Sequence, residues 1–193
     1  STLDTLPERE LRAGYAEVVK YGLIGDPAFF DWCEANYAAL LARDEAALLQ
    51  AIETCVGAKA AIVAEDEREK TGRRALLNFG HTFAHAFETE SDFAMLHGEA
   101  VAIGMILAFR FSAERGLCRS DEAERVAKHL ESAGLAALAR FDAKRLVQRM
   151  ASDKKASGGR VPFVLTRGVG KAFVDTSVEL ADVEAFLERE MAP

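Results

Sequence analysis

The stretch 74–99, RALLNFGHTFAHAFETESDFAMLHGE, holds three of the four histidines of a 193-residue chain. Phenylalanine recurs in it every fourth residue, at positions 79, 83 and 87. This spacing is typical of one face of an α-helix, and it places His81 and His85 on the opposite face. We therefore predict a helix over Phe79–Glu88 that packs its aromatic side and leaves its histidine side available for chemistry.

Histidines four apart on a helix can hold a metal ion or a phosphorylated ligand, although such a pair is more often solvated or hydrogen-bonded in a core. The neighbouring residues favour a site. A third imidazole, His97, follows a short polar turn, and Gly80 and Gly98 each lie beside a histidine, where a missing side chain lets backbone approach a ligand. Arg74 and Asn78 add a guanidinium group and an amide just ahead of the helix.

Composition limits the classes of protein to consider. Half of the residues are hydrophobic, so the chain 1–193 can bury one core and is predicted to be a single domain. A net charge of −7 argues against a nucleic-acid partner. Three widely spaced cysteines without a CxxC motif indicate reduced thiols. The N-terminus resembles no signal peptide, and the most apolar run, 100–109, is too short to cross a bilayer, so we expect a soluble cytoplasmic protein without a membrane partner.

The remaining sequence predicts helices joined by short turns. The first helix is predicted to start at Pro7, the second at Pro27 after the capping residue Asp26, and the third after the capping residue Asp44. The segment after His97 is predicted to be a buried central helix that ends at Gly116. Two further helices are predicted to start at Ser120 and Asp142, and a closing helix is predicted to be capped by Ser177 and to end near Met191. The charged run EDEREKTGRR (65–74) is predicted to be a solvated turn, and VPFVLT and KAFVDT flank RGVG as a hairpin. The fold class is thus a mostly α, multi-helical domain with a small C-terminal β-hairpin.

Several charged residues have simple structural explanations. Glu17 and Lys20 lie three apart in the first helix, the spacing of a surface ion pair. Adjacent lysines, Lys154 and Lys155, at a helix end favour the helix dipole. His129 stands alone in its helix and is expected at the surface.

No GxGxxG motif occurs, so the sequence predicts no dinucleotide-binding unit of its own.

Six segments, in this order, resemble the successive signatures of the C-terminal domain of 3-dehydroquinate synthase. They are ELRAGYAEVVKYGLIGD (10–26), KAAIVAEDERE (59–69), RALLNFGHTFAHAFE (74–88), LHGEAVAIGM (96–105), DKKASGG (153–159) and VPFVLTRGVG (161–170). The resemblance spans nearly the whole chain. It implies that the N-terminal nucleotide-binding domain of that family is a missing partner of this sequence.

The resemblance also implies roles for particular residues, and it revises the pairing of His81 with His85. A catalytic zinc, or cobalt, would be held by Glu17, His81 and His97, with positions left open for substrate. His85, Lys20, Arg74 and Asn78 would be catalytic, and the same four residues with Lys59, Lys154 and Lys155 would contact a sugar phosphate. The sequence departs from the family pattern at Ala84, where a glycine is common, and by one extra residue in EREKTGR.

The family converts 3-deoxy-D-arabino-heptulosonate 7-phosphate to 3-dehydroquinate and phosphate in the shikimate pathway of aromatic amino acid biosynthesis. The resemblance implies that NAD takes and returns a hydride while the metal polarises a substrate oxygen. NAD would be bound mainly by the missing domain, and a homodimer is an expected assembly. Two alternatives stay open at this point: a related sugar-phosphate cyclase, such as a 2-deoxy-scyllo-inosose or valiolone synthase, and an inactive zinc-binding or dimerisation domain.

Overall fold

Eight α-helices and one β-hairpin make up the part of the chain that the structure, a computed structural model, describes: residues 2–68, 72–135, 141–152 and 161–192. The helices are α1 (Glu8–Gly25), α2 (Pro27–Leu41), α3 (Glu45–Glu65), α4 (His81–Glu90), α5 (His97–Glu114), α6 (Ser120–Ser132), α7 (Ala143–Ser152) and α8 (Leu180–Glu190). Short 3-10 segments cover Thr2–Thr5 and Arg74–Asn78. Strands β1 (Phe163–Thr166) and β2 (Ala172–Asp175) pair antiparallel, with Phe163 opposite Asp175. The predicted mostly α class with a C-terminal hairpin is confirmed.

Two of the three predicted aspartate or serine caps are present. The side chains of Asp26 and Asp44 accept hydrogen bonds from the third residue after each, at the starts of α2 and α3. The third prediction, that Ser177 caps the closing helix, is wrong. Both the amide and the hydroxyl of Ser177 donate to Asp175 Oδ1 in a turn that ends β2, and α8 begins only at Leu180.

The central helix is α5, which is buried along most of its length and contacts α1, α4, α6 and β1. The predicted aromatic stripe is confirmed, because Phe79, Phe83 and Phe87 are all essentially inaccessible to solvent. The helix itself begins two residues later than predicted. Gly80 has a φ of +80°, a left-handed conformation that separates Phe79 from the regular turns of α4.

Glycines let the backbones of the central elements touch. A Cβ on Gly98 would lie 1.9 Å from the carbonyl oxygen of Ala13 in α1, and a Cβ on Gly104 would lie 2.1 Å from that of Gly80. The expectation that Gly80 and Gly98 open space for a ligand is therefore corrected. Protein backbone fills that space, and the glycines act on the site indirectly by fixing where α1, α4 and α5 meet.

His129 was expected at the surface, and this prediction is wrong. It is 5% exposed on α6, its Nε2 lies 2.8 Å from the hydroxyl of Tyr15, and its ring meets those of Phe30 and Tyr37 edge-on. The sequence around His129 could not indicate these contacts, because the contacting residues belong to α1 and α2. Burial lowers the pKa of His129 below its ordinary value.

This burial predicts a pH-dependent stability. The unfolded chain protonates His129 near its ordinary pKa of 6.5, whereas the folded chain does so only at a lower pH, so the unfolded state binds more protons as the pH falls below about 6.5. The free energy of unfolding should therefore decrease there, by at most about 1.4 kcal/mol per pH unit for one proton. Urea titrations between pH 5 and pH 8 should show a shallower decrease for His129→Gln than for the wild type. Parallel curves would contradict the assignment, and because both proteins keep the other histidines, the comparison isolates His129.

The helix α3 leaves apolar side chains in solvent. Leu49, Ile52 and Val56 recur three and four residues apart and are each about half or more exposed. By length and composition alone, α3 is one helix among the described residues that could cross a membrane. Exposed apolar side chains on one face of a helix are also typical of surfaces that contact another protein.

Candidate metal and substrate site

Three potential metal ligands from three helices meet at one point. Glu17 lies in the middle of α1, and His81 and His97 are the first residues of α4 and α5. One donor atom from each lies within 4.8 Å of the others. Glu17 Oε1 is 3.6 Å from Nε2 of His81 and 3.6 Å from Nε2 of His97. These distances are too long for hydrogen bonds, so the three groups face each other without satisfying each other.

The hydrogen bonds on the far side of each ring show which nitrogen carries the proton. His81 Nδ1 lies 3.1 Å from the carbonyl oxygen of Phe79, and His97 Nδ1 lies 3.1 Å from a carboxylate oxygen of Glu88. Both oxygens can only accept, so both Nδ1 atoms donate. In the neutral imidazoles the Nε2 atoms therefore present lone pairs toward Glu17, which is the arrangement that a cation requires.

The Glu17 carboxylate itself supports this interpretation. Its Oε1 atom is buried and has no hydrogen-bond partner among the described residues. A buried oxygen left unpaired is costly, by about 1–3 kcal/mol or more. Two imidazole lone pairs and an orphaned carboxylate oxygen fit a divalent cation.

The other oxygen of Glu17 is paired with a buried lysine. Lys20 is 4% exposed, and its Nζ lies 2.5 Å from Glu17 Oε2. The interpretation of this pair as a surface ion pair is therefore wrong for the lysine, since i,i+3 spacing is the same on a buried and an exposed face. One ammonium group is thus held at the edge of the three-ligand cluster.

Burial lowers the pKa of His81 to about 4, and the neighbouring charge of Lys20 acts in the same direction. The imidazole is therefore neutral near pH 7 even without a cation. Only a neutral imidazole offers a lone pair to a metal, so the environment of His81 prepares it to bind one.

Comparison with known proteins identifies the family of this chain. The model of the 3-dehydroquinate synthase C-terminal domain matches residues 14–156, which include all three ligands. The chain belongs to the 3-dehydroquinate synthase C-terminal domain family. A protein named 3-dehydroquinate synthase from Zymomonas mobilis is 50% identical over 98% of this chain, and one from Caulobacter vibrioides is 52% identical over 98%. The chain spans about half the length of these curated relatives, 52% and 53%.

Solved structures of sugar-phosphate cyclases share the fold. A 2-epi-5-epi-valiolone synthase from Streptomyces hygroscopicus, solved with NAD+ and Zn2+ bound, superposes with a TM-score of 0.85 at 30% identity, covering 96% of this chain and 52% of that one. A 2-deoxy-scyllo-inosose synthase, complexed with carbaglucose-6-phosphate, NAD+ and Co2+, superposes with a TM-score of 0.82 at 23% identity, covering 96% and 53%. At that identity the second likeness shows the fold alone.

Within this 3-dehydroquinate synthase domain, His85 lies next to the ligand cluster on the exposed face of α4. Its ring centroid is 5.7 Å from that of His81, at nearly a right angle. His85 also lines a cleft of about 170 Å³ between α4 and α7, together with Arg149. The resemblance implied a place for His85 beside the metal ligands, and its role stays a prediction. Sequence reasoning did not single out Arg149, because only the packing of α7 on α4 brings it there.

Three of the other predicted substrate residues, Arg74, Asn78 and Lys59, lie in the part of the chain that the structure describes. Arg74 and Asn78 lie in the 3-10 segment that leads into α4 and contacts α1 and α3. The Arg74 backbone amide donates to Asp66, which is buried although the run 65–74 was expected to be a solvated turn. Lys59 is exposed on α3. Lys154 and Lys155 lie outside the described residues, and the roles of all these groups stay predictions.

Glu88 is the other residue that sequence reasoning missed. It follows His81 by seven residues and His85 by three, so all three share one face of α4. This periodicity could have indicated a carboxylate on the histidine face. Its partner His97 could not have been identified, because that contact depends on how α5 packs against α4.

Proposed function

We propose that this chain is the metal- and substrate-binding half of a 3-dehydroquinate synthase, the lyase that converts 3-deoxy-D-arabino-heptulosonate 7-phosphate to 3-dehydroquinate and phosphate. The proposal includes a place in the shikimate pathway and cytoplasmic localisation. The observation that carries it is the convergence of Glu17, His81 and His97 with buried Lys20 beside them. Identities of 50–52% to proteins of that name support the substrate.

The side chains of this domain would divide the work. Glu17, His81 and His97 would hold a divalent zinc or cobalt ion, which supplies a Lewis acid for a substrate oxygen. Lys20 is buried beside Glu17, so its ammonium group would bind a hydroxyl or carboxylate oxygen of the substrate close to the substrate oxygen that the metal polarises. Arg74, Asn78, Lys59, Lys154 and Lys155 would bind the carboxylate and phosphate.

His85 would act as a proton carrier. It is exposed on the same face of α4 as the ligand His81 and opens onto the cleft with Arg149. An imidazole in that position can take a proton from, or return it to, a substrate bound across the cluster. Phosphate elimination needs such a transfer, because a C–H bond next to the leaving group must be broken.

A related sugar-phosphate cyclase is the second candidate. The 30% identity and close superposition with the valiolone synthase support it. The higher identity to proteins named 3-dehydroquinate synthase favours the first candidate. Both candidates would hold a divalent metal at Glu17, His81 and His97, so the substrate is what would distinguish them.

Two protein partners complete the proposal. The hydride transfer needs NAD, and the sequence has no glycine-rich dinucleotide motif, so a nucleotide-binding half must supply it. We also propose a homodimer, and the apolar stripe Leu49, Ile52 and Val56 on α3 is an exposed surface, among the described residues, that could mediate it. Sedimentation velocity over a range of concentrations tests self-association. A monomer at every concentration would contradict the homodimer and favour contact of the stripe with the nucleotide-binding half.

The activity test joins this chain to the half of the Zymomonas mobilis relative that this chain does not match, which would be the nucleotide-binding half. We expect phosphate release from 3-deoxy-D-arabino-heptulosonate 7-phosphate, in the presence of NAD and zinc, only for the joined protein, with the chain alone at background. The site would then lie in the cleft between the halves, a common place for ligand pockets.

The controls separate the candidates. The joined protein with Glu17→Gln should be inactive, which ties turnover to the cluster. Product identification by mass spectrometry should give 3-dehydroquinate. Phosphate release from a different sugar phosphate in its place would support the related cyclase, and turnover by the chain alone would overturn the requirement for a second half.

A further inference from the structure

The two histidines of the ligand cluster are held very differently. His81 is mostly buried, and its Nδ1 donates to the backbone carbonyl of Phe79, which is fixed by the turn at Gly80. His97 is 48% exposed and lies at the first turn of α5, where its ring has open solvent on one side. A side chain in such a position would sample several rotamers and both neutral tautomers unless another group restrained it.

Glu88 is the group that restrains it. Its Oε1 accepts from His97 Nδ1 at 3.1 Å, and its side chain is only 16% exposed, so the carboxylate is better fixed than the imidazole that it contacts. Glu88 lies near the end of α4, and α4 packs closely along α5. The hydrogen bond therefore connects two rigid helices, not a mobile loop.

The position of Glu88 excludes it as a ligand. It contacts Nδ1 of His97, whereas Nε2, on the other side of the same ring, faces Glu17 Oε1 at 3.6 Å. A carboxylate behind a metal-binding imidazole fixes which nitrogen carries the proton, fixes the ring orientation, and increases the basicity of the ligating nitrogen. Such a carboxylate, oxygen to Nδ1–H, is the usual partner of a metal-binding imidazole.

We propose that Glu88 is a positioning residue for the metal centre, which keeps His97 in the Nδ1–H form with Nε2 directed at the cation. The inference rests on the proposed metal site, but it concerns a residue outside the ligand set. Glu88 touches neither cation nor substrate. It acts through His97 alone, so its removal should weaken metal binding without removing a ligand.

The test measures the zinc affinity of the 193-residue chain by competition with a chromogenic chelator. Glu88→Ala should weaken binding by roughly 10–100-fold, the usual effect of removing such a partner. Glu88→Gln should recover part of the loss, because its amide oxygen still accepts from Nδ1–H but carries no charge. Glu90→Gln is the matched control: Glu90 is also on α4 and also buried, but it pairs with Arg145 and Arg149 on α7.

A second readout needs no metal. Long-range 15N–1H spectra of the histidine rings in the zinc-free chain should show His97 as the Nδ1–H tautomer in the wild type and as a mixture in Glu88→Ala. A merely structural role would leave this tautomer unchanged. Zinc affinity of Glu88→Ala within twofold of the wild type, or an equal loss in Glu90→Gln, would overturn the proposal. Absence of zinc binding by the wild type would instead overturn the metal site itself, so the two failures are distinguishable.

Discussion

Replacing His81 with alanine is expected to abolish stoichiometric zinc binding, whereas replacing His85, one turn along the same helix, is expected to leave it nearly intact. His81 Nε2 faces the orphaned oxygen of Glu17, and its environment keeps the ring neutral. His85 contacts the ring of His81 edge-on and lies outside the group whose donor atoms converge. Loss of a ligand should lower zinc affinity by more than roughly 100-fold, the upper end of the effect of removing a residue that contacts a ligand but not the metal.

The measurement is zinc content after dialysis, followed by chelator competition for any variant that retains metal. We expect about one equivalent of zinc for the wild type and His85→Ala, and close to none for His81→Ala, as expected of a single mononuclear site. Circular dichroism should show that all three proteins are helical, because a core of this size does not require metal to fold. Equal losses in the two variants would restore the simple HxxxH pair, and retention of zinc by His81→Ala would remove that residue from the ligand set.

This comparison also shows what local sequence patterns can predict. The spacing of Phe79, Phe83 and Phe87 predicted the buried face of one helix, since helical periodicity is a property of that helix alone. The same periodicity indicated a His81–His85 pair. The convergence of ligands is set by three helices, and the only sequence-based indication of it was the resemblance to a family.

Burial was the other property that spacing could not provide. Lys20 and His129 were assigned to the surface, yet both are buried, and each has a polar partner at hydrogen-bonding distance. A polar residue can be buried only where such a partner exists, and both partners here lie in α1. For Lys20 the partner is Glu17, three residues away, so the sequence indicated the ion pair but not the burial of the lysine. For His129 the partner Tyr15 is distant in sequence, so the sequence indicated neither the pair nor its burial.

The close approach of helix backbones leads to the second large expected effect, for Gly98→Ala. The added Cβ would lie 1.9 Å from the Ala13 carbonyl oxygen and 2.7 Å from its Cα. Both are backbone atoms of α1, so no side-chain rotation can relieve the overlap, and α1 and α5 must separate. We expect the free energy of unfolding to fall by roughly 3 kcal/mol or more, at or beyond the upper end for overpacking.

The same separation should weaken metal binding, although Gly98 itself contributes no ligand atom. Glu17 lies on α1 and His97 is the residue before Gly98, so moving α5 away from α1 increases the distance between two ligands. Gly14→Ala is the matched control, because Gly14 is also helical in α1 and a Cβ there meets nothing within 4 Å. It should raise stability by roughly 0.5–1 kcal/mol through helix propensity and leave zinc affinity unchanged. Urea denaturation and chelator competition on the three proteins measure both effects. If Gly98→Ala were as stable as the wild type, α1 and α5 would not meet at Gly98, and the packing that brings Glu17 to His97 would have to be different.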